Sequence, residues 1–150
     1  ETLEEIISEL KRICIAVSEA IRAHSKGRRG EIIEEIKAYI EQNYSKPDLS
    51  LDFIADRIQL TPGHLGKIFK AQSQMSFNDY LKNIRLEKAK ELLLETDDSA
   101  NAISERIGIF NTTYFYTIFK KKYGLSPAQY RSEALANRLK SPEEKADIPE

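Results

Sequence analysis

At 150 residues, 41% of them hydrophobic and 31% charged, the chain has the make-up of a folded protein, with length for one domain and an appendage. No apolar run approaches the ~20 residues that span a bilayer, and a single cysteine, Cys14, excludes an internal disulfide and points to a reducing, cytoplasmic setting. The net charge of −1 is unevenly spread: residues 61–131 carry eleven basic and seven acidic side chains, an excess of +4, against −3 over residues 1–60 and −2 over 132–150.

The opening, Glu1-Thr2-Leu3-Glu4-Glu5, lacks the basic start and apolar stretch of a signal peptide. It also lacks a methionine, so a further region is expected upstream. Residues 2–24 read as one amphipathic helix, with Leu3, Ile7, Leu10, Cys14, Val17 and Ile21 in a heptad-like seam widened by Ile6, Ile13 and Ala20. Cys14 reads there as a small packing residue. The seam needs a surface to cover it, which the domain itself, a second copy or an upstream domain could provide, and a homodimer through residues 2–24, or through an upstream region, is the expectation. Ser25-Lys26-Gly27-Arg28-Arg29-Gly30 reads as a linker, because two glycines and three cations interrupt the pattern. The chain thus divides into an N-terminal helix and linker over 1–30, a domain over 31–138, and a charged, proline-containing tail over 139–150 expected to be disordered.

Within 31–138 the helix starts are marked by capping chemistry. A helix over about 31–44 carries Ile32, Ile33, Ile36, Tyr39, Ile40 and Tyr44 inward and stops before Pro47. Ser50 caps a short helix of about 51–59, Thr61-Pro62 opens the next, and Ser76 caps a long helix over 77–95. Ser99, Asn111 and Ser126-Pro127 open three more, and Gly124 suits a helix end. No stretch alternates with period two, so no strand is expected.

An internal repeat organises these helices. Ser50, Ile54, Arg57 and Ile58 match Ser99, Ile103, Arg106 and Ile107 at an offset of 49. Past the turn the offset is 50: Thr61 matches Asn111, Leu65 matches Phe115, Ile68-Phe69-Lys70 matches Ile118-Phe119-Lys120, and Tyr80 matches Tyr130. Each copy, about 50–75 and 99–124, is a short helix, a turn and a second helix, the helix-turn-helix layout. The fold class read from the residues is all-α, with two such units joined by a long connecting helix and preceded by an extra amphipathic helix.

The outward face of the first unit's second helix offers Gly63, Gly66, Lys67 and Lys70, with Thr61 and Pro62 at its tip and His64 beside them. The second offers Thr112, Thr113, Tyr116, Thr117 and Lys120, with Asn111 at the tip and Lys121 at the far end. Asn and Thr can bond base edges or phosphates, a Thr methyl fits the methyl of thymine, and lysines suit phosphate oxygens. Double-stranded DNA is therefore the expected partner, and the alternative is a helical protein-interaction module that binds no DNA. Enzyme chemistry is not expected. There is no Gly-rich phosphate loop, no metal-spaced His/Cys/Asp cluster and no nucleophile motif, so no catalytic residue, metal or cofactor is assigned. Arg85 reads as a structural residue rather than a phosphate contact, and Arg28 and Arg29 as weak supplements to the basic face.

Residues 50–131 closely resemble the C-terminal DNA-binding domain of AraC/XylS-type regulators. The resemblance is carried by Gly108-Ile-Phe-Asn-Thr-Thr-Tyr114-Phe115, by Ile118-Phe119-Lys120, by Gly124-Leu-Ser126-Pro127 and Tyr130-Arg131, and by the helix Ile84-Arg85-Leu86-Glu87-Lys88-Ala89. It implies seven helices in two subdomains, with each unit's second helix entering a major groove. Gly63 and Gly66 stand where many relatives carry larger base-contacting side chains, and Thr117 where a base-reading arginine is common.

Overall fold

The computed structural model describes residues 2–140, so the tail from Ser141 lies outside the described residues. Seven helices run in order: α1 Leu3–Asn43, α2 Leu51–Arg57, α3 Pro62–Ser73, α4 Phe77–Glu95, α5 Ala100–Arg106, α6 Thr112–Tyr123 and α7 Pro127–Lys140. Among the described residues all regular structure is helical. None of these helices is long and apolar enough to cross a membrane.

The expected linker at 25–30 is overturned, because α1 runs unbroken for 41 residues. A glycine in a helix costs about 1 kcal/mol relative to alanine, but nothing in 25–30 forces a stop. There is no proline, no residue with positive φ and no competing side-chain cap. The boundary drawn at residue 30 therefore divides a single helix. Leu139 and Lys140, assigned to the tail, are the last turn of α7.

The caps form as the sequence indicates. Ser50, Thr61, Ser76, Ser99 and Asn111 each accept a hydrogen bond from the backbone N–H three residues on. Two cores result. Ile33, Ile36 and Ile40 of α1 pack with Leu49, Ile54, Leu65, Phe69, Phe77 and Leu81. Leu86, Ala89 and Leu93 of α4 pack with Ile103, Ile107, Ile109, Phe115 and Phe119. Helix α4 thus gives its first half to one core and its second half to the other, and Tyr44 borders both.

The repeat holds at the level of single contacts. Phe69 meets Tyr80 edge to face with ring centroids 5.5 Å apart, and Phe119 meets Tyr130 in the same way at 5.7 Å. Leu60 N–H donates to Ala55 O at 3.0 Å, and its counterpart Ile109 N–H donates to Ser104 O at 2.9 Å. The offset of 49 therefore persists through Ile109, and the inserted residue is Phe110, which points into solvent.

The units differ where the second meets the first. Ile107, Gly108 and Ile109 are buried, whereas Ile58 and Gln59 lie open and Leu60 is half-buried. The covering group is the segment after α1, held by Arg85. Its Nε donates to Tyr44 O at 2.8 Å and its Nη2 to Lys46 O at 2.9 Å. A cation at the carbonyl end of α1 also complements the helix dipole. Arg131 repeats the device on the chain before α5, donating to Leu93 O, Thr96 O and Asp98 O at 2.9, 3.2 and 2.6 Å. The structural reading of Arg85 holds.

Two predictions follow from this packing. At Gly108 (φ +84°) an added Cβ would lie 2.8 Å from Ser45 O and 3.2 Å from the Arg85 guanidinium. Left-handed backbone costs a residue with a side chain ~1–2 kcal/mol before any clash. Gly108→Ala should therefore lower stability by about 2 kcal/mol or more in urea titration. The second concerns Glu87, which joins α4 to α6 by accepting from Tyr123 Oη at 2.8 Å and pairing with Lys90 at 2.8 Å and Lys122 at 3.0 Å. Lys90 first, then Tyr123 and Lys122, hold its pKa at about 2 against an ordinary 4.5. A lowered carboxylate pKa stabilises the fold fully above the unfolded value and loses that contribution as pH falls through the folded one. Between pH 4.5 and 2, wild type should lose stability that Glu87→Gln never had, by under ~1 kcal/mol because solvent screens so exposed a group. Equal slopes of unfolding free energy against pH for the two proteins would contradict this.

Candidate nucleic-acid interface

Helix α3 lies with Leu65 and Phe69 in the first core, and α6 lies with Phe115 and Phe119 in the second. What each helix leaves in solvent follows from this anchoring. On α3 these residues are Gly63, His64, Lys67 and Lys70; on α6 they are Thr113, Tyr114, Tyr116, Thr117, Lys120 and Lys121. Both helices also expose their capped N-terminal ends, with Thr61 and Asn111 in solvent.

Several of the sequence-derived positions sit differently from expectation. Gly66 is turned toward α2, where an added Cβ would stand 3.3 Å from Leu51 Cδ2. It serves close helix packing, so its expected place on the outward face is corrected. Thr112 is half-buried at the first position of α6. Thr117 is exposed, but its hydroxyl donates to Thr113 O at 2.9 Å, leaving the methyl and the oxygen lone pairs for a ligand. Asn111 Oδ1 accepts from Tyr114 N–H at 3.0 Å, which leaves its Nδ2 as the free donor. Thr61 Oγ1 accepts from His64 N–H at 3.3 Å. Cys14, read as a packing residue, is an exposed free thiol.

Each second helix is flanked by a cleft against the helix before its unit. Arg29 of α1 lines one cleft with His64, Lys67, Ile68, Ala71 and Gln72. Lys82, Asn83 and Leu86 of α4 line the other with Tyr114, Ile118, Lys121 and Lys122. Through the repeat, Tyr114, Ile118, Lys121 and Lys122 correspond to His64, Ile68, Ala71 and Gln72. The sequence reading did not place Lys82 or Tyr114 on this surface. Arg28 and Arg29, treated alike there, diverge. Arg29 faces α3, while Arg28 lines a separate groove with Ile32, Tyr39, Arg57 and Ile58.

The open face of α6 carries Lys120 and Lys121, that of α3 carries Lys67 and Lys70, and no carboxylate lies among these positions. Such a surface is chemically suited to a polyanion, with hydroxyl, amide and methyl groups on α6 able to read a base edge.

A family model described as a helix-turn-helix domain matches residues 54–133. The solved C-terminal domain of AraT, a response regulator from Geobacillus stearothermophilus, is 39% identical, with a TM-score of 0.66 over 68% of this chain and 84% of that one. The DNA-binding domain of AdpA, a global transcriptional factor solved in complex with a target DNA, is 21% identical, with a TM-score of 0.67 over 71% of this chain and 96% of that one, a likeness of fold. AdaA of Bacillus subtilis (strain 168), a bifunctional transcriptional activator and DNA repair enzyme, is 34% identical over 67% of this chain and 47% of its own length. The chain spans about half or less of the length of the first curated relatives it matches. Seven helices in two repeated units, together with these matches, show that the chain belongs to the AraC-type family of helix-turn-helix transcriptional regulators.

Proposed function

We propose that this chain binds double-stranded DNA sequence-specifically and regulates transcription in the cytoplasm, with α3 and α6 entering successive major grooves. The observation that carries the reading is the pair of equivalent exposed faces, each held by the same core residues of its unit and each free of acidic side chains. Helix α4 separates the units by 19 residues, ~28 Å at 1.5 Å per residue. That is comparable with the ~34–36 Å of one duplex turn. On this reading Lys67, Lys70, Lys120 and Lys121 take phosphates. Thr113, Thr117, Tyr116 and the Asn111 amide meet base edges or sugars, Gly63 lets the duplex approach the backbone, and His64 and Thr61 flank it. Neither face offers an arginine for bidentate guanine readout, so specificity leans on shape and on contacts of modest strength. Of the two activities in AdaA's name, only transcription regulation is proposed for this chain.

Residues 3–21 support a second element of the reading, a homodimer. Leu3, Ile7, Leu10, Val17 and Ile21 are 44–73% exposed, and the apolar packing of α1 on its own domain begins at Ile32. A second α1 along this seam would bury it and double the DNA segments read.

Selection from a random duplex pool, followed by hydroxyl-radical footprinting, tests the first element. The expected result is protection over ~15–20 base pairs per chain in two adjacent grooves on one face. Affinity should fall with salt, and Lys67→Ala should weaken all sequences alike and reduce the salt slope by about 1. Thr117→Ala should relax preference at one position by ~1 kcal/mol. Protection of a single groove, or binding indifferent to salt, would favour the protein-interaction module instead. For the dimer, sedimentation should show wild type associating and Leu10→Asp/Val17→Asp monomeric. A monomeric wild type at the highest attainable concentration would remove that element and leave DNA binding standing.

A further inference from the structure

Because α1 is continuous, the side that packs against α3 does not end with the core. The spacing of Ile40, Ile36 and Ile33 continues toward the N-terminus as Arg29, Lys26 and Arg22, in steps of four and three residues. Residues so spaced share one helix face. The face that is apolar within the first unit therefore becomes cationic as α1 projects beyond it. Arg29 marks the crossover, since it lines a cleft of about 280 Å³ together with His64 and Lys67 on the outward side of α3.

We infer that Arg22, Lys26 and Arg29 form a phosphate-binding rail that extends the first unit's DNA contact past the groove read by α3. This inference rests on the DNA-binding reading. Its ligand is the sugar-phosphate backbone of the duplex flanking that groove. Three observations carry it. All three side chains are exposed, and among the described residues none forms an ion pair, although Arg12 and Lys37 of the same helix do so with Glu9 and Glu34. No acid lies within the stripe between Arg22 and Arg29: the register next meets Glu19, which ends the cationic run on its N-terminal side, and Glu31, Glu34 and Glu35 fall on other faces of the 3.6-residue turn. The seven steps from Arg22 to Arg29 also span ~10 Å, about three phosphate intervals of one strand measured along the duplex axis. The second unit has a comparable cleft with Lys82, but α4 begins at Phe77 and cannot project in the same way. The rail is thus a property of the first unit and skews the footprint to its side.

The experiment compares wild type with Arg22→Ala/Lys26→Ala/Arg29→Ala on one selected duplex and on an unrelated one, across a salt series. Helix content and sedimentation are measured to show that fold and association are retained. The triple variant should bind both duplexes ~10-fold more weakly near 0.15 M salt, with the slope of log affinity against log salt reduced by ~2–3. Its footprint should lose protection only outside the first unit's groove. The charge-conserving Arg22→Lys/Arg29→Lys variant should keep the wild-type slope, as backbone contacts demand charge rather than planar geometry. An unchanged slope and footprint in the triple alanine variant would overturn the rail while leaving DNA binding intact. A loss confined to the selected duplex would overturn it too, by indicating base readout. Wild type that binds neither duplex would instead overturn the reading on which the rail rests.

Discussion

The placement of the two units depends on one side chain, Arg85. It comes from the middle of α4, the helix shared by both cores, and donates to two carbonyls just past the end of α1. Tyr44 O has no partner within the helix, Lys46 O accepts also from Leu49 N–H at 3.3 Å, and burial pulls the arginine's pKa down from its ordinary value. The guanidinium and the helix end therefore satisfy each other. The segment held in this way, Tyr44 to Lys46, is the surface on which the turn of the second unit rests, and only a glycine at position 108 lets the turn approach so closely. Core packing within each unit fixes α3 or α6 relative to its own support. The Arg85 junction fixes α3 relative to α6, the relation that the proposed reading of two grooves by one chain requires.

The two units are copies in their cores and individuals on their surfaces. Phe69 and Phe119, with Tyr80 and Tyr130, make the same ring contacts, because the packing of a short helix against its successor leaves little choice of shape. Outside the core the constraint is relaxed. Gly63 faces solvent where the other unit has Thr113, Lys67 where it has Thr117, and Ile58 lies open where Ile107 is buried. Arg57 stacks on Tyr39 and Phe53, while its counterpart Arg106 pairs with Asp98. The outward faces of α3 and α6 each carry two lysines, Lys67 and Lys70 against Lys120 and Lys121, but only α6 adds exposed hydroxyls, at Thr113, Tyr116 and Thr117. In the proposed complex most of the base reading therefore falls to the second unit.

The extended α1 links the seam proposed for association directly to the first core. With no turn between Leu3 and Asn43, any rotation of the seam is carried into Ile33, Ile36 and Ile40. Gly27 and Gly30 are the points of lowest helix propensity along the way, and neither has a neighbour within 4 Å of where a Cβ would stand. A helix of this kind can join an upstream region to a DNA-reading unit as a single mechanical element.

Much of this was legible from residue order. The capping residues, the repeat with its one insertion, the inward residues of the helix over 31–44 and the helix-turn-helix layout all follow from local rules: a hydroxyl or amide satisfies free N–H groups at a helix start, and apolar spacing selects one face. The sequence by itself therefore determined which segments are helical, which sides they bury and which family they belong to. Whether residues 25–30 break the helix depends on small differences between propensities, which composition does not resolve. Whether Gly66 serves a ligand or Leu51, and whether Arg29 joins the α3 surface while Arg28 leaves it, depend on the angle at which one helix crosses another. Only the tertiary structure decided these points, because that angle is set by packing partners far apart in the chain, Ile33, Ile36, Leu65 and Phe69 among them, that no local pattern brings together.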